Sequence, residues 1–224
     1  MLLLNDTIYQ KNKLFNVICI LGGTFNPIHH GHLRLSIELY ERLNLESVLL
    51  IPSAHPPHRA QPSVSSQRRL EMVQVAIAGV EGLSVDDREL RRQGPSYMID
   101  TLKSLREDYP RNPLCLILGM DAFLGLPSWH EWKQLLTYAH FLIVRRPDTL
   151  LPEKNIMQDF FKAHQAASKE DLKKQIAGMI WMEEIPALNI SATYIRRLIA
   201  VGKNPHYLLP PAVLDIINSH LMYR

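Results

Sequence analysis

Residues 17–36 read Val17-Ile18-Cys19-Ile20-Leu21-Gly22-Gly23-Thr24-Phe25-Asn26-Pro27-Ile28-His29-His30-Gly31-His32-Leu33-Arg34-Leu35-Ser36. Five apolar residues run into a glycine pair, and Leu33, Leu35, Ile37, Leu39 and Leu43 beyond it suit a helix. The stretch therefore predicts strand, glycine turn and helix in succession. Such a junction gathers backbone N–H groups at a helix N-terminus, where a phosphate is favoured. Two histidines, His29 and His32, fall at the same place.

Outside this junction, strand-like runs alternate with helical ones. Residues 47–51, 114–118, 141–144 and 179–185 read as strands, and 83–90 as a short extended piece. Residues 65–78, 96–108, 191–201 and 211–221 read as helices, with one or more further helices in the polar stretch 148–177. The alternation predicts an α/β fold, a Rossmann-like open parallel sheet flanked by helices, with a small C-terminal helical part over 187–224. Residues 1–16 are expected to form an N-terminal extension and 17–224 one domain. In such sheets the ligand crevice lies past the C-terminal ends of the strands. The unusual residues cluster there: 22–32, 52–59, 119–129 and Arg145-Arg146.

Composition sets outer bounds. The 224 residues suffice for a substantial core, and a formal charge of +3 is too small to argue for nucleic acid. No run of ~18 apolar residues predicts a membrane span. Residues 1–16 lack the pattern of a signal peptide. Cys19 and Cys115 both sit in apolar runs, so they read as small buried hydrophobes rather than a disulfide, which favours a reducing cytoplasm.

The glycine turn is followed by no Gly-Lys-Ser/Thr, and it is not Gly-x-Gly-x-x-Gly. The second strand ends in Pro52-Ser53, with no acid to hold a ribose. Hydride transfer is therefore disfavoured. Zinc is too, because His29, His30 and His32 lack metalloprotease spacing and a further ligand nearby. Taken alone, the histidines could simply be exposed at a helix start.

Gly22-Gly23-Thr24-Phe25-Asn26-Pro27-Ile28-His29-His30-Gly31-His32 resembles the signature of the nucleotidylyltransferase superfamily, with its His-x-Gly-His element. The resemblance implies that His29 and His32 contact ATP phosphates and stabilise charge during nucleotidyl transfer, with Gly22, Gly23, Thr24 and Phe25 lining the same site. Many members carry Asp where this chain has Asn26. Asn189-Ile190-Ser191-Ala192-Thr193-Tyr194-Ile195-Arg196 resembles the superfamily's Ile-Ser-x-Thr-x-Ile-Arg element. By itself that stretch reads as a helix capped by Ser191. The resemblance adds that Ile190, Ser191, Thr193 and Arg196 hold the β- and γ-phosphates, with Arg196 counted among the catalytic residues and Arg197 not. Mg²⁺ is expected on the ATP phosphates, with no protein carboxylate cage.

Three more segments narrow the acceptor. Pro52-Ser53-Ala54-His55-Pro56-Pro57-His58-Arg59, Gly94-Pro95-Ser96-Tyr97, and Gly119-Met120-Asp121 with Leu126-Pro127-Ser128-Trp129 resemble segments of bacterial nicotinate mononucleotide adenylyltransferases, in the same order. The resemblance implies an acceptor site of Ser53, His58, Arg59, Pro95, Ser96, Tyr97 and Trp129. Asp121 and Arg146 are expected on the ATP side. Trp129 can stack on a pyridine ring, Trp132 reads as core, and Arg145 as a solvated neighbour. A helix opening at Ser96-Tyr97 favours a carboxylate over a carboxamide. The implied reaction joins ATP and nicotinate mononucleotide to give deamido-NAD and pyrophosphate in NAD biosynthesis. Other acceptors, such as nicotinamide mononucleotide or phosphopantetheine, and a non-catalytic nucleotide sensor stay open as alternatives. Neither nucleic acid nor membrane is expected as a partner, and a homo-oligomer is left open.

Overall fold

In the computed structural model, which describes residues 16–56, 61–145, 155–186 and 188–224, six parallel strands form one sheet in the order β3-β2-β1-β4-β5-β6. The strands are β1 (Ile18–Gly23), β2 (Ser47–Pro52), β3 (Leu83–Val85), β4 (Leu114–Gly119), β5 (His140–Arg145) and β6 (Ile180–Glu184). Among the described residues the helices are α1 (His30–Leu43), α2 (Ser66–Ile77), α3 (Arg88–Arg91), α4 (Met98–Asp108), α5 (Met120–Gly125), α6 (Trp132–Tyr138), α7 (Ile156–His164), α8 (Ala192–Ala200) and α9 (Pro211–Ser219). Short 3-10 turns cover Leu126–Ser128 and Lys169–Lys173.

The apolar runs are strands because both faces of this sheet are covered, so side chains of either parity can be buried. Alternation sorts them into two layers. Cys19 and Leu21 of β1 and Val48 and Leu50 of β2 join one core, with Leu39 of α1, Met72 of α2, Ile195 of α8 and Val213 of α9. Ile18, Ile20, Leu49 and Ile51 join the other, with Leu102 of α4, Phe123 of α5, Leu135 of α6 and Phe161 of α7. At roughly 1.5–3 kcal/mol per fully buried large apolar side chain, these layers dominate the favourable side of folding. Cys19 and Cys115 are register partners on β1 and β4, buried and unbonded. Burial, aided by Cys115, pushes the Cys19 thiol well above its usual range, so it stays protonated and packs as a hydrophobe.

Strand order reverses between β1 and β4, which opens a crevice past their C-terminal ends at Gly23 and Gly119. Helix α1 leaves that crevice and stops at Asn44, whose left-handed φ of 47° ends the helix without glycine. Two expectations need correction. Residues 83–90 are not one extended piece: β3 ends at Val85, and Asp86 Oδ1 accepts the Arg88 N–H at 2.9 Å, turning the chain into α3. Arg145 is half-buried rather than a free solvated neighbour, and it pairs with Glu184 of β6 at 2.5 Å. No helix among the described residues is long and apolar enough to cross a membrane.

Candidate active site

Helix α1 opens on His29, which adopts extended backbone angles as its N-cap and is 6% exposed. The His32 ring folds back, and its Nδ1 accepts the His29 N–H at 3.3 Å, as the N3 side chain of a capping box does. That bond assigns the His32 proton to Nε2. The two rings stack with centroids 3.7 Å apart, and Phe25 meets His32 edge-on at 5.2 Å. Gly31 leaves room for this packing: a Cβ there would lie a tight 3.0 Å from the His29 ring.

Burial, reinforced by His30, lowers the His29 pKa to about 4; burial, reinforced by His29, lowers that of His32 to about 3. Both rings are therefore neutral at neutral pH. His32 Nε2–H has no acceptor among the described residues, and His29 Nδ1 is buried without a partner. Unsatisfied buried nitrogen is costly and calls for a ligand or ordered water. The helix start is narrower than the sequence suggests. The His30 N–H donates to Leu208 O at 3.0 Å and the His32 N–H to His29 O at 2.9 Å, which leaves the Gly31 amide.

The turn between β1 and α1 has its carbonyls committed to the protein. Ser53 N–H donates to Gly23 O at 2.9 Å, Arg69 Nη1 to Thr24 O at 2.7 Å and Arg196 Nη1 to Asn26 O at 2.8 Å. Phe25 sits at φ 46°, left-handed for a residue with a Cβ, and is 2% exposed. Arg69 is 1% exposed and also donates to Val64 O and Ala54 O. Burial lowers its pKa, but a guanidinium remains charged. Sequence reading missed Arg69. Its signal is a charge on the apolar stripe of α2, at helical spacing from Met72, Val73 and Ile77.

Ser191 caps α8 by accepting the Tyr194 N–H at 3.2 Å, and Thr193 Oγ1 accepts from Arg196 Nη2 at 3.3 Å. Ile190 O approaches Gly31, so the start of α8 adjoins the start of α1. Asp121 is exposed in the first turn of α5, just past β4. His29, His32, the glycine turn, Ile190, Ser191, Thr193 and Arg196 are thus gathered in one place.

On the other flank, Met98 presses on Gly22, where a Cβ would lie 2.7 Å from its Cε. Helix α4 opens at Met98 with Tyr97 as N-cap, slightly later than expected from the sequence. Ser96 lies outside the helix, and its Oγ accepts the N–H groups of Ala54 and His55 at 3.0 and 3.1 Å. Pro95, beside it, is exposed. Tyr97 stacks on His130 with centroids 4.3 Å apart, a contact the sequence did not suggest. Trp129 and Trp132 are both half-buried against the same core, so packing accounts for part of Trp129 as well. Beneath this flank Glu89 is 3% exposed and accepts from Thr101 Oγ1 at 2.7 Å. Burial raises its carboxyl pKa, with Thr101 and Ser96 opposing. His58, Arg59 and Arg146 lie outside the described residues.

The site fits a class before it fits a particular family. Residues 20–198 match the cytidylyltransferase-like family, to which the chain belongs. Curated relatives described as probable nicotinate-nucleotide adenylyltransferases narrow this further. The one from Aeromonas hydrophila is 46% identical over 207 residues, covering 92% of this chain and 97% of its own. That from Pseudomonas syringae pv. tomato is 47% identical, covering 92% and 93%, and that from Methylococcus capsulatus 42%, covering 92% and 99%. The chain is therefore a member of the nicotinate-nucleotide adenylyltransferase family. Plasmodium falciparum nicotinic acid mononucleotide adenylyltransferase complexed with NaAD shares the fold, with a TM-score of 0.72 at 19% identity, covering 93% of this chain and 97% of that one.

Proposed function

We propose that this protein transfers the adenylyl group of ATP to nicotinate mononucleotide, releasing pyrophosphate and giving deamido-NAD. The observation that carries the reading is the neutral His29–His32 pair, with unsatisfied ring nitrogen, beside Arg196 at the sheet's switch point. An acceptor phosphate oxygen attacks the α-phosphorus in line, a new P–O bond forms, and the bond to the bridging β-phosphate oxygen breaks. The acceptor is already ionised, so no strong general base is required. His32 Nε2–H donates to an α-phosphate oxygen, and the charge of that group grows as the bond orders change. Arg196, with Thr193, Ser191 and Ile190, receives the departing pyrophosphate. Gly22, Gly23, Thr24 and Phe25 bring backbone close to the nucleotide, while Asp121 is assigned to its ribose and Arg146 to its base.

On the acceptor side, Ser53, His58 and Arg59 hold the phosphate, and Pro95, Ser96, Tyr97 and Trp129 the nicotinate. Mg²⁺ enters as part of the ATP complex. It would be held on the ATP phosphate oxygens and offset part of their charge. Free, buried cysteines suit a reducing cytoplasm.

The test is incubation with ATP, Mg²⁺ and, in turn, nicotinate mononucleotide, nicotinamide mononucleotide and phosphopantetheine, with pyrophosphate and dinucleotide measured. The expected result is rapid product with the nicotinate acceptor and slow or no product with the others. Nucleotide binding without product from any acceptor would establish the sensor instead.

A further inference from the structure

Tyr223 lies far along the chain from Asn26, yet its hydroxyl donates to Asn26 Oδ1 at 2.6 Å. The backbone carbonyl of the same Asn26 takes Arg196 Nη1 at 2.8 Å. One residue of the β1–α1 turn thus joins a distant tyrosine to the arginine assigned to the triphosphate. The Tyr223 ring is half-buried against the core that holds Phe25, Ile28 and Ile217. The segment that delivers it bends through two left-handed residues with side chains, Leu221 at φ 50° and Tyr223 at φ 63°. Residues with a Cβ adopt that conformation at a cost, and it persists where surrounding contacts enforce it. Burial raises the phenol pKa, with Arg196 and Arg69 opposing, so the group stays an O–H donor.

Resting on the adenylyl-transfer reading, we propose that Tyr223 is a positioning residue of the ATP site, acting through Asn26 on Arg196. The physical reason is competition for the guanidinium. Asn26 offers two carbonyl oxygens, one on the backbone and one on the side chain. Arg196 takes the backbone oxygen, while the phenol O–H occupies Oδ1. Without that O–H, Oδ1 becomes a second acceptor for Arg196, and fewer of its five N–H donors face the phosphates. Tyr223 also ties the turn to the core, complementing the hold of Arg69 on Thr24.

The test is a double-mutant cycle with Tyr223→Phe, Asn26→Leu and the pair. Steady-state kinetics with ATP and nicotinate mononucleotide are measured together with the ATP dissociation constant by calorimetry and the melting temperature. Loss of one buried hydrogen bond predicts a roughly three- to tenfold rise in both the ATP KM and the ATP Kd for Tyr223→Phe. The kcat and the acceptor KM are expected to stay within about twofold. The double variant should bind ATP no more weakly than Asn26→Leu alone, because the two side chains act as one unit. Unchanged ATP affinity in Tyr223→Phe, or a fall in melting temperature with kcat and both KM values moving together, overturns the proposal. Should Asn26→Leu not fold, Tyr223→Phe decides alone. A wild-type protein that binds ATP but makes no dinucleotide refutes the reaction, while the calorimetry still decides the role of Tyr223.

Discussion

His140 and the pair His29–His32 occupy opposite ends of the sheet and share two properties, burial and a depressed pKa. His140 begins β5, is 0% exposed, and uses both ring nitrogens. Its Nε2–H donates to Gln175 O at 2.9 Å, and its Nδ1 accepts the Met179 N–H at 3.0 Å. His32 has the same tautomer and the same kind of bond at Nδ1, but no protein acceptor for Nε2–H among the described residues. His29 keeps a buried Nδ1 with no hydrogen-bond partner among the described residues. Among these histidines a shifted pKa marks burial at both ends, and unused ring-nitrogen capacity is what sets the His29–His32 pair apart from His140.

The largest effect expected from this contrast is on turnover. On the proposed mechanism, His32→Ala removes a donor aimed at transition-state charge and should lower kcat by about a hundredfold or more, equivalent to at least ~2.7 kcal/mol. Folding should change less, because the His32 ring makes one long hydrogen bond of 3.3 Å among the described residues, beside its contacts with the His29 and Phe25 rings. Single-turnover adenylyl transfer checks it. A variant with normal kcat and reduced stability would place His32 with the scaffold histidines.

His140→Ala should show the reverse. It leaves the Gln175 carbonyl and the Met179 N–H unpaired in a dry site, together with a cavity, at a cost of about 2 kcal/mol. Urea unfolding should register that loss, while kcat per folded molecule stays within about twofold. A large drop in kcat for folded His140→Ala would remove the distinction between the two ends.

Much of this contrast was readable from residues, and the rest was not, for physical reasons. The strands at 114–118 and 141–144 announced themselves because a doubly covered sheet tolerates unbroken apolar runs. The placement of His29 and His32 at one helix start was legible because local spacing and the glycine turn fix it, whereas the bond from Arg196 to Asn26 was not. Arg69 was hidden because its partners are the carbonyls of Thr24, Ala54 and Val64, which no sequence pattern records. His130 and Tyr223 were hidden because their partners, Tyr97 and Asn26, come from other elements. Arg145 was misread for the same reason, since Glu184 reaches it only through the pairing of β5 with β6. Contacts made within one turn of chain are visible beforehand; those made across the sheet await the fold.

The smallest effect, and the one that probes both ends at once, is the pH dependence of stability. All three histidines have folded-state pKa values below the unfolded value near 6.5, about 4 for His29 and about 3 for His32. Below pH 6.5 the unfolded chain binds protons that the folded chain refuses, so stability is full above that pH and is lost as pH falls towards 4. A histidine that stays neutral in the folded state while it protonates in the unfolded chain contributes a slope of about 1.4 kcal/mol per pH unit. Glu89, whose carboxyl pKa is raised by burial, opposes the slope near its lower end but cancels between wild type and variant. Urea unfolding at pH 4.5, 5.5 and 6.5 should therefore show His32→Ala losing about one such slope and His140→Ala losing slope in the same direction. Saturating Mg-ATP then separates them. Phosphate beside His29 and His32 favours their charged forms and should flatten their share of the slope, so that wild type and His32→Ala converge. The share of His140, whose ring is closed off by Gln175 and Met179, should persist. Equal flattening for both variants would mean that ATP does not meet the paired histidines.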